Sequence, residues 1–153
     1  MIQQTRSAPL PPTPAKALAE AEALLDGQPH VALAGAEAIL RQAPGFPQAE
    51  FLAARALRRV GKGKAALQKL DMLARSNPRV PAVLWELGDL AAELGDHARA
   101  VAALGALTQV QPGISAGWFL LARCLRKVGR SDEAWRADLS GIHASSRDAE
   151  LLK

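Results

Sequence analysis

The side chains that most often carry out catalysis are few and scattered in this chain. Its three histidines show neither the H-x3-H nor the H-E-x2-H spacing of a metal site: His30, His97 and His143. Arg123 could lower the pKa of the neighbouring Cys124, but no histidine is close in sequence to activate a thiolate, which favours a buried apolar role for this cysteine. The adjacent carboxylates Asp132 and Glu133 suit the positive end of a helix dipole. We therefore expect no enzyme activity, no metal and no cofactor.

Aromatic and charged side chains, by contrast, recur together at helical spacing. Three stretches each carry one aromatic residue followed one and two turns later by charges: Phe51, Arg55, Arg58 and Arg59; Trp85, Asp89 and Glu93; Phe119, Arg123, Arg126 and Lys127. Aromatic rings supply buried contact area and arginines pair with carboxylates in a forked geometry, so this pattern indicates a binding surface. Two other interpretations stay open. The aromatic rings could pack between neighbouring helices, and the cations could be solvated or paired with Asp89 and Glu93.

The composition favours a globular helical protein. Of the 153 residues, 49% are hydrophobic and 22% charged, which excludes a largely disordered chain. The single cysteine cannot form an internal disulfide, and no stretch approaches about 18 apolar residues, the length that crosses a membrane. The first residues have no apolar signal region, so we expect a cytoplasmic protein. Residues with high helix propensity dominate, and no stretch alternates apolar and polar residues as a strand would. This composition predicts an all-α fold.

An internal repeat of 34 residues sets the architecture. The same step separates three residue types: Gly27, Gly61, Gly95 and Gly129; Ala32, Ala66, Ala100 and Ala134; Pro44, Pro78 and Pro112. In residues 81–114, an apolar stripe continues through Gly88, which is small where a second helix must come close. Gly95 is expected to end this first helix, Asp96 to cap the second and Pro112 to stop it. Such a hairpin must stack on its neighbours to bury its apolar faces.

These residues resemble the tetratricopeptide repeat family, whose pattern is W-x2-L-G-x2-Y…A-x3-F…P. Residues 115–148 match it through Trp118, Leu121, Ala122, Leu125 and Ala134. Residues 81–114 and 47–80 also match, although Glu50 replaces the large apolar residue, and 13–46 match weakly, with Glu20 at the small-residue position. The resemblance implies a right-handed solenoid of four antiparallel helix hairpins (13–46, 47–80, 81–114 and 115–148) plus a partial terminal helix.

Both ends of the chain carry further expectations. Residues 1–12 are rich in proline and predict a flexible arm. Ser145 to Asp148 predict the start of another helix, which residues 149–153 would begin and which would be truncated after Leu151 and Leu152. An uncovered end of this kind suggests self-association, or that the chain is the first part of a longer protein. The segments around residues 21–62 and 143–152 also resemble the N-terminal repeats of bacterial tetratricopeptide-repeat sulfotransferases, which implies an assembly or substrate-recruiting domain of a larger enzyme.

The family resemblance places first helices on the concave surface, where the three aromatic and charged stretches would form a groove. This predicts a non-catalytic scaffold that binds a protein or peptide with acidic groups. Nucleic acid is disfavoured because Asp89 and Glu93 would interrupt a phosphate-binding track. The chaperone-tail carboxylate clamp of this family needs groove asparagines, and the only asparagine is Asn77, near the end of a second helix.

Overall fold

The computed structural model describes residues 13–151, which contain eight α-helices and no strand. Their bounds are α1 Pro14–Ala23, α2 Pro29–Gln42, α3 Pro47–Arg59, α4 Gly63–Ser76, α5 Pro81–Glu93, α6 His97–Val110, α7 Ser115–Lys127 and α8 Ser131–Leu151. Consecutive helices pair as hairpins, and the second helix of each hairpin packs on the first helix of the next. The all-α solenoid of four hairpins predicted from the sequence is confirmed. The predicted arm, residues 1–12, lies outside the described residues.

Glycine at a left-handed position closes three of the four hairpins. Gly61, Gly95 and Gly129 have φ of +83°, +82° and +80°, a region that residues with a Cβ rarely adopt. After each glycine, the next backbone N–H donates to the carbonyl five residues back, as from Asp96 to Ala91 at 2.8 Å. Asp96 then accepts a hydrogen bond from the Arg99 N–H at 3.1 Å, so the predicted cap is confirmed.

Small residues set the distance between the two helices of a hairpin. A Cβ on Gly88 would lie 2.6 Å from Leu104 Cγ, so only glycine lets α5 approach α6 this closely. Leu104 is fully buried, in a continuous core that also contains Leu70, Leu107 and Leu121. Close packing of this kind holds the first helices α3, α5 and α7 in fixed positions beside one another.

The first hairpin departs from the register predicted by the repeat. Ala21, not Glu20, occupies the small-residue position: a Cβ on Gly35 would lie 2.9 Å from Ala21 Cβ, whereas Glu20 is exposed. The connection from α1 to α2 absorbs this one-residue shift, since it spans residues 24–28 where the other hairpins use three residues. Gly27 consequently lacks the positive φ of the glycines that follow it at 34-residue steps.

The predicted start of a separate helix at Ser145 is wrong, because residues 145–151 continue α8. No proline interrupts this segment, and the Ser146 hydroxyl donates to the Ile142 carbonyl at 2.9 Å, a bond that a helix interior accommodates. The α8 helix thus runs for 21 residues. None of the helices in the described part of the chain has both the length and the apolar character needed to cross a membrane.

Candidate functional site

The three aromatic and charged stretches lie on α3, α5 and α7, the first helices of successive hairpins. Between α3 and α5 there is a shallow depression of about 490 Å³ whose lining side chains are all charged: Arg55, Arg58, Arg59, Glu86, Asp89 and Glu93. The structure therefore brings together the predicted residues of α3 and α5. It adds Glu86, which the sequence analysis did not single out.

Arg58 is the centre of this depression. Its guanidinium donates to Glu86 Oε2 at 3.0 Å, to Asp89 Oδ2 at 2.8 Å and to Glu93 Oε2 at 2.5 Å. The Arg58 side chain is only 23% exposed. Burial by itself would lower the pKa of Arg58, but the carboxylate hydrogen bonds together outweigh it and raise the pKa, so Arg58 stays charged.

The other two arginines of α3 also have carboxylate partners. Arg55 lies 3.6 Å from Glu22 and 3.8 Å from Glu86, with its guanidinium 5.6 Å from the centre of the Phe51 ring. Arg59 donates to Asp26 at 2.5 Å. Ion pairs thus connect α3 both to the first hairpin and to α5, and they give each of the three α3 arginines a carboxylate partner. The interpretation of these arginines as salt-bridged structural residues is the one that the geometry favours.

The basic residues of α7 differ from those of α3 in their ion pairing. Arg126 pairs with Asp138 of α8. Arg123 and Lys127 are exposed and, among residues 13–151, neither lies within 4.0 Å of a carboxylate oxygen. Asp89 and Glu93 of the neighbouring α5 are already bound to Arg58. Arg123 and Lys127 of α7 are therefore two cations available to an external anion.

The three aromatic rings also differ in how much surface they offer. Phe51 and Trp85 are partly buried against the core, as the packing interpretation predicted. Phe119 is 42% exposed and rests on α8, where a Cβ on Gly141 would lie only 2.8 Å from its Cε1. Phe119 thus offers exposed aromatic surface on the same helix as Arg123 and Lys127.

Cys124 is buried, as the sequence predicted, with 1% of its surface exposed. Burial raises the pKa of the Cys124 thiol and Asp89 adds to this, while Arg123 opposes it. The thiol is therefore neutral and shielded, which makes it a poor nucleophile. In the described part of the chain, no three side chains among His, Cys, Asp and Glu are grouped as metal ligands.

Glu50 shows how the fold tolerates a charge at an aromatic position of the repeat. Its carboxylate accepts a hydrogen bond from Lys69 Nζ of α4 at 2.5 Å, and both side chains are partly buried. At the equivalent position of the fourth hairpin, Trp118 donates from Nε1 to the Pro112 carbonyl at 2.8 Å. A partly buried ion pair thus replaces an aromatic contact.

Comparison with known families agrees with this architecture. A model of the tetratricopeptide repeat matches residues 51–108 and 86–149. The chain belongs to the tetratricopeptide repeat family. Members of this family form stacked helix pairs with extended concave surfaces, and such surfaces act as protein-interaction scaffolds. A search of curated protein sequences gave no match.

Among solved structures, several of MamA share the fold. One crystal structure of MamA superposes with a TM-score of 0.82 at 17% identity, covering 90% of this chain and 81% of that one. MamA from residue 41 to the end, from Desulfovibrio magneticus RS-1, gives a TM-score of 0.77 at 16% identity over 87% and 76% of the two chains. MamA AMB-1 gives 0.76 at 21% identity over 85% and 72%. At these identities the likeness concerns the fold alone.

Proposed function

We propose that this chain is a non-catalytic scaffold that binds an acidic segment of a partner protein on the concave face of α7. The observation that carries this proposal is the unequal pairing of the basic residues. Arg58 and its neighbours on α3 are held by carboxylates, whereas Arg123 and Lys127 have no carboxylate partner among residues 13–151. A ligand carboxylate at Arg58 would first have to displace an existing partner, so the net gain in free energy there would be small. At Arg123 no such exchange is needed.

The proposed site combines one apolar and two cationic contacts. Phe119 would bury a leucine or aromatic side chain of the ligand, and Arg123 and Lys127 would pair with its carboxylates. The carboxylates of Asp89 and Glu93 on the adjacent α5 would repel further acidic groups, so the acidic part of the ligand would lie towards α7. The full predicted groove, from Phe51 to Lys127, is thereby reduced to its α7 end as the site of anion binding.

A selection from a library of short peptides tests this proposal. Each peptide would carry two acidic residues and one leucine or aromatic residue at variable spacing, and capture would be compared for three proteins. We expect the double variant Arg123→Glu, Lys127→Glu to lose the peptides that the wild type enriches, with affinity at least about tenfold weaker, since charge-assisted pairs are replaced by repulsion. The control is Lys62→Glu, Lys64→Glu, which makes the same charge change at exposed residues beside the α3–α4 turn. Equal capture by all three proteins, or equal loss in both variants, would exclude the α7 site.

Three further predictions from the sequence keep their status as predictions. An assembly or recruiting role within a larger sulfotransferase-like enzyme would be tested by the reading frame that surrounds this sequence. A nucleic-acid ligand stays disfavoured, because the acidic side chains of α5 lie between the cations of α3 and those of α7. A cytoplasmic location likewise stays a prediction.

A further inference from the structure

Helix α8 carries a ridge of large apolar side chains that the described residues leave uncovered. Trp135, Leu139 and Ile142 follow one another at i, i+4 and i+7, so they lie on one face of the helix. They are 64%, 39% and 53% exposed. The predicted apolar end at Leu151 is also exposed, at 85%, but it lies more than two turns beyond this ridge. Leu152 is outside the described residues.

Two of the three ridge positions, those of Trp135 and Ile142, are covered in the earlier hairpins, whereas the position of Leu139 holds residues that are exposed or half-buried: Glu37, Asp71 and Gly105. Trp135 corresponds, at 34-residue steps, to three residues that are fully or partly buried: Leu33, Leu67 and Val101. Ile142 corresponds in the same way to Leu40, Ala74 and Thr108, of which Thr108 is only 3% exposed. In each earlier hairpin the second helix packs on the first helix of the next hairpin. Trp135 and Ile142 therefore continue the surface by which the hairpins of this chain join, and Leu139 extends it.

The opposite end of the solenoid offers a groove of matching character. It lies between α1 and α2, has a volume of about 350 Å³ and is lined mainly by apolar residues, including Ala17, Leu24, Val31, Ala34 and Ala38. This lining is on the side of α2 that faces away from the second hairpin. Five of its eleven lining residues are alanine or glycine, so the groove is recessed where the ridge of α8 protrudes.

We propose that the chain assembles head to tail, with the α8 ridge of one copy seated in the α1–α2 groove of a second copy. Such a contact packs α8 on α1, as each second helix already packs on the next first helix, and extends this contact onto α2. It places the large side chains of the ridge against the alanines of the groove. A symmetric pairing of two α8 helices would instead oppose two tryptophans and leave both grooves empty. The contact is heterologous, so each copy keeps one free ridge and one free groove and can add further copies. It is independent of the proposed α7 site and uses none of its residues.

Sedimentation velocity of the 153-residue protein over a range of concentrations tests this assembly. We expect the average mass of the wild type to rise past that of a dimer, and both Trp135→Glu and the double variant Val31→Glu, Ala34→Glu to weaken association at least about 30-fold, the effect of losing an interface anchor. All three substituted positions are exposed, and the far-ultraviolet circular dichroism should be unchanged. The control is Met72→Glu, which places the same charge on a residue that is 69% exposed on α4, away from both ends.

Mixing the two variants separates head-to-tail contact from symmetric pairing. Trp135→Glu keeps an intact groove and Val31→Glu, Ala34→Glu keeps an intact ridge, so an equimolar mixture should form a dimer and nothing larger. A photo-crosslinker at position 139 of the wild type should attach to residues 14–42 of another copy. The proposal is overturned if the wild type stays monomeric at every concentration. It is equally overturned if association stops at a dimer that the groove variant leaves intact, or if the crosslinks join α8 to α8.

Discussion

Arg58 holds three carboxylates of α5, and its replacement by glutamine should weaken the contact between the second and third hairpins. Exposed ion pairs contribute about 0.2–1 kcal/mol each, and hydrogen bonds to charged groups about 1.5–3 kcal/mol when they are well shielded. The Arg58 side chain is 23% exposed, and those of Glu86 and Asp89 are 22% and 34% exposed, while Glu93 is 59% exposed. Counting only the two better-shielded pairs at about 0.5–1 kcal/mol each, the upper part of the range for surface pairs, gives a loss of about 1–2 kcal/mol.

The assay is thermal unfolding followed by circular dichroism, with Arg123→Gln as the control. For a domain of this size the loss corresponds to a decrease in Tm of about 2–8 °C for Arg58→Gln. Arg123→Gln removes the same charge from the same face but breaks no ion pair within the described residues, so its Tm should change by less than about 1 °C. In about 1 M salt, where the Debye length is about 3 Å, the difference between the two variants should shrink. Equal Tm values for both variants at low salt would refute the assignment of Arg58 as a structural ion-pair centre.

Three other predictions concern packing, capping and the cysteine. Gly88→Ala should lower the free energy of unfolding by about 1–3 kcal/mol, because its Cβ would lie 2.6 Å from Leu104 Cγ. Gly105→Ala, whose Cβ would meet no neighbouring side chain within 4 Å, should raise the free energy of unfolding by up to about 1 kcal/mol. Urea unfolding compares the two variants, and a gain in stability for both would contradict the close approach of α5 and α6. Asp96→Ala should lower the free energy of unfolding by about 1 kcal/mol in the same assay, because it removes the N-terminal cap of α6. An unchanged free energy of unfolding would show that a water molecule satisfies the Arg99 N–H equally well. Cys124 should resist alkylation at pH 8 in the native protein and react once urea unfolds it, because burial raises the pKa of its thiol; rapid native labelling would contradict this.

The architecture could be predicted because it is encoded locally. Gly61, Gly95 and Gly129 meet a backbone requirement that other residues satisfy poorly, and Gly88 meets a packing requirement, so each leaves a mark at a fixed step in the sequence. The first hairpin could not be predicted in the same detail. Its connection has a different length, and the sequence alone could not show that Ala21 rather than Glu20 packs against Gly35.

The state of the groove was less predictable because it depends on contacts between hairpins. Glu86 and Arg58 are 28 residues apart, and their pairing requires the exact offset of α3 against α5 together with two extended side chains. Recurrence of the basic residues predicted equivalent roles for Arg55 and Arg123, yet within the described part of the chain only Arg55 of these two lies within 4.0 Å of a carboxylate oxygen. Reversal of both charges together would therefore mix a loss of stability with a loss of binding. Reversal at Arg123 and Lys127 avoids this.

The most direct measurement of the central claim is an amide chemical-shift map of the isotope-labelled protein, titrated with an acidic peptide enriched by the selection described above. The account predicts that the largest shifts fall on α7, around Phe119, Arg123 and Lys127, and that the amides of α3 around Arg58 change little. Shifts centred on Arg58, or on the convex surface formed by α4 and α6, would contradict it.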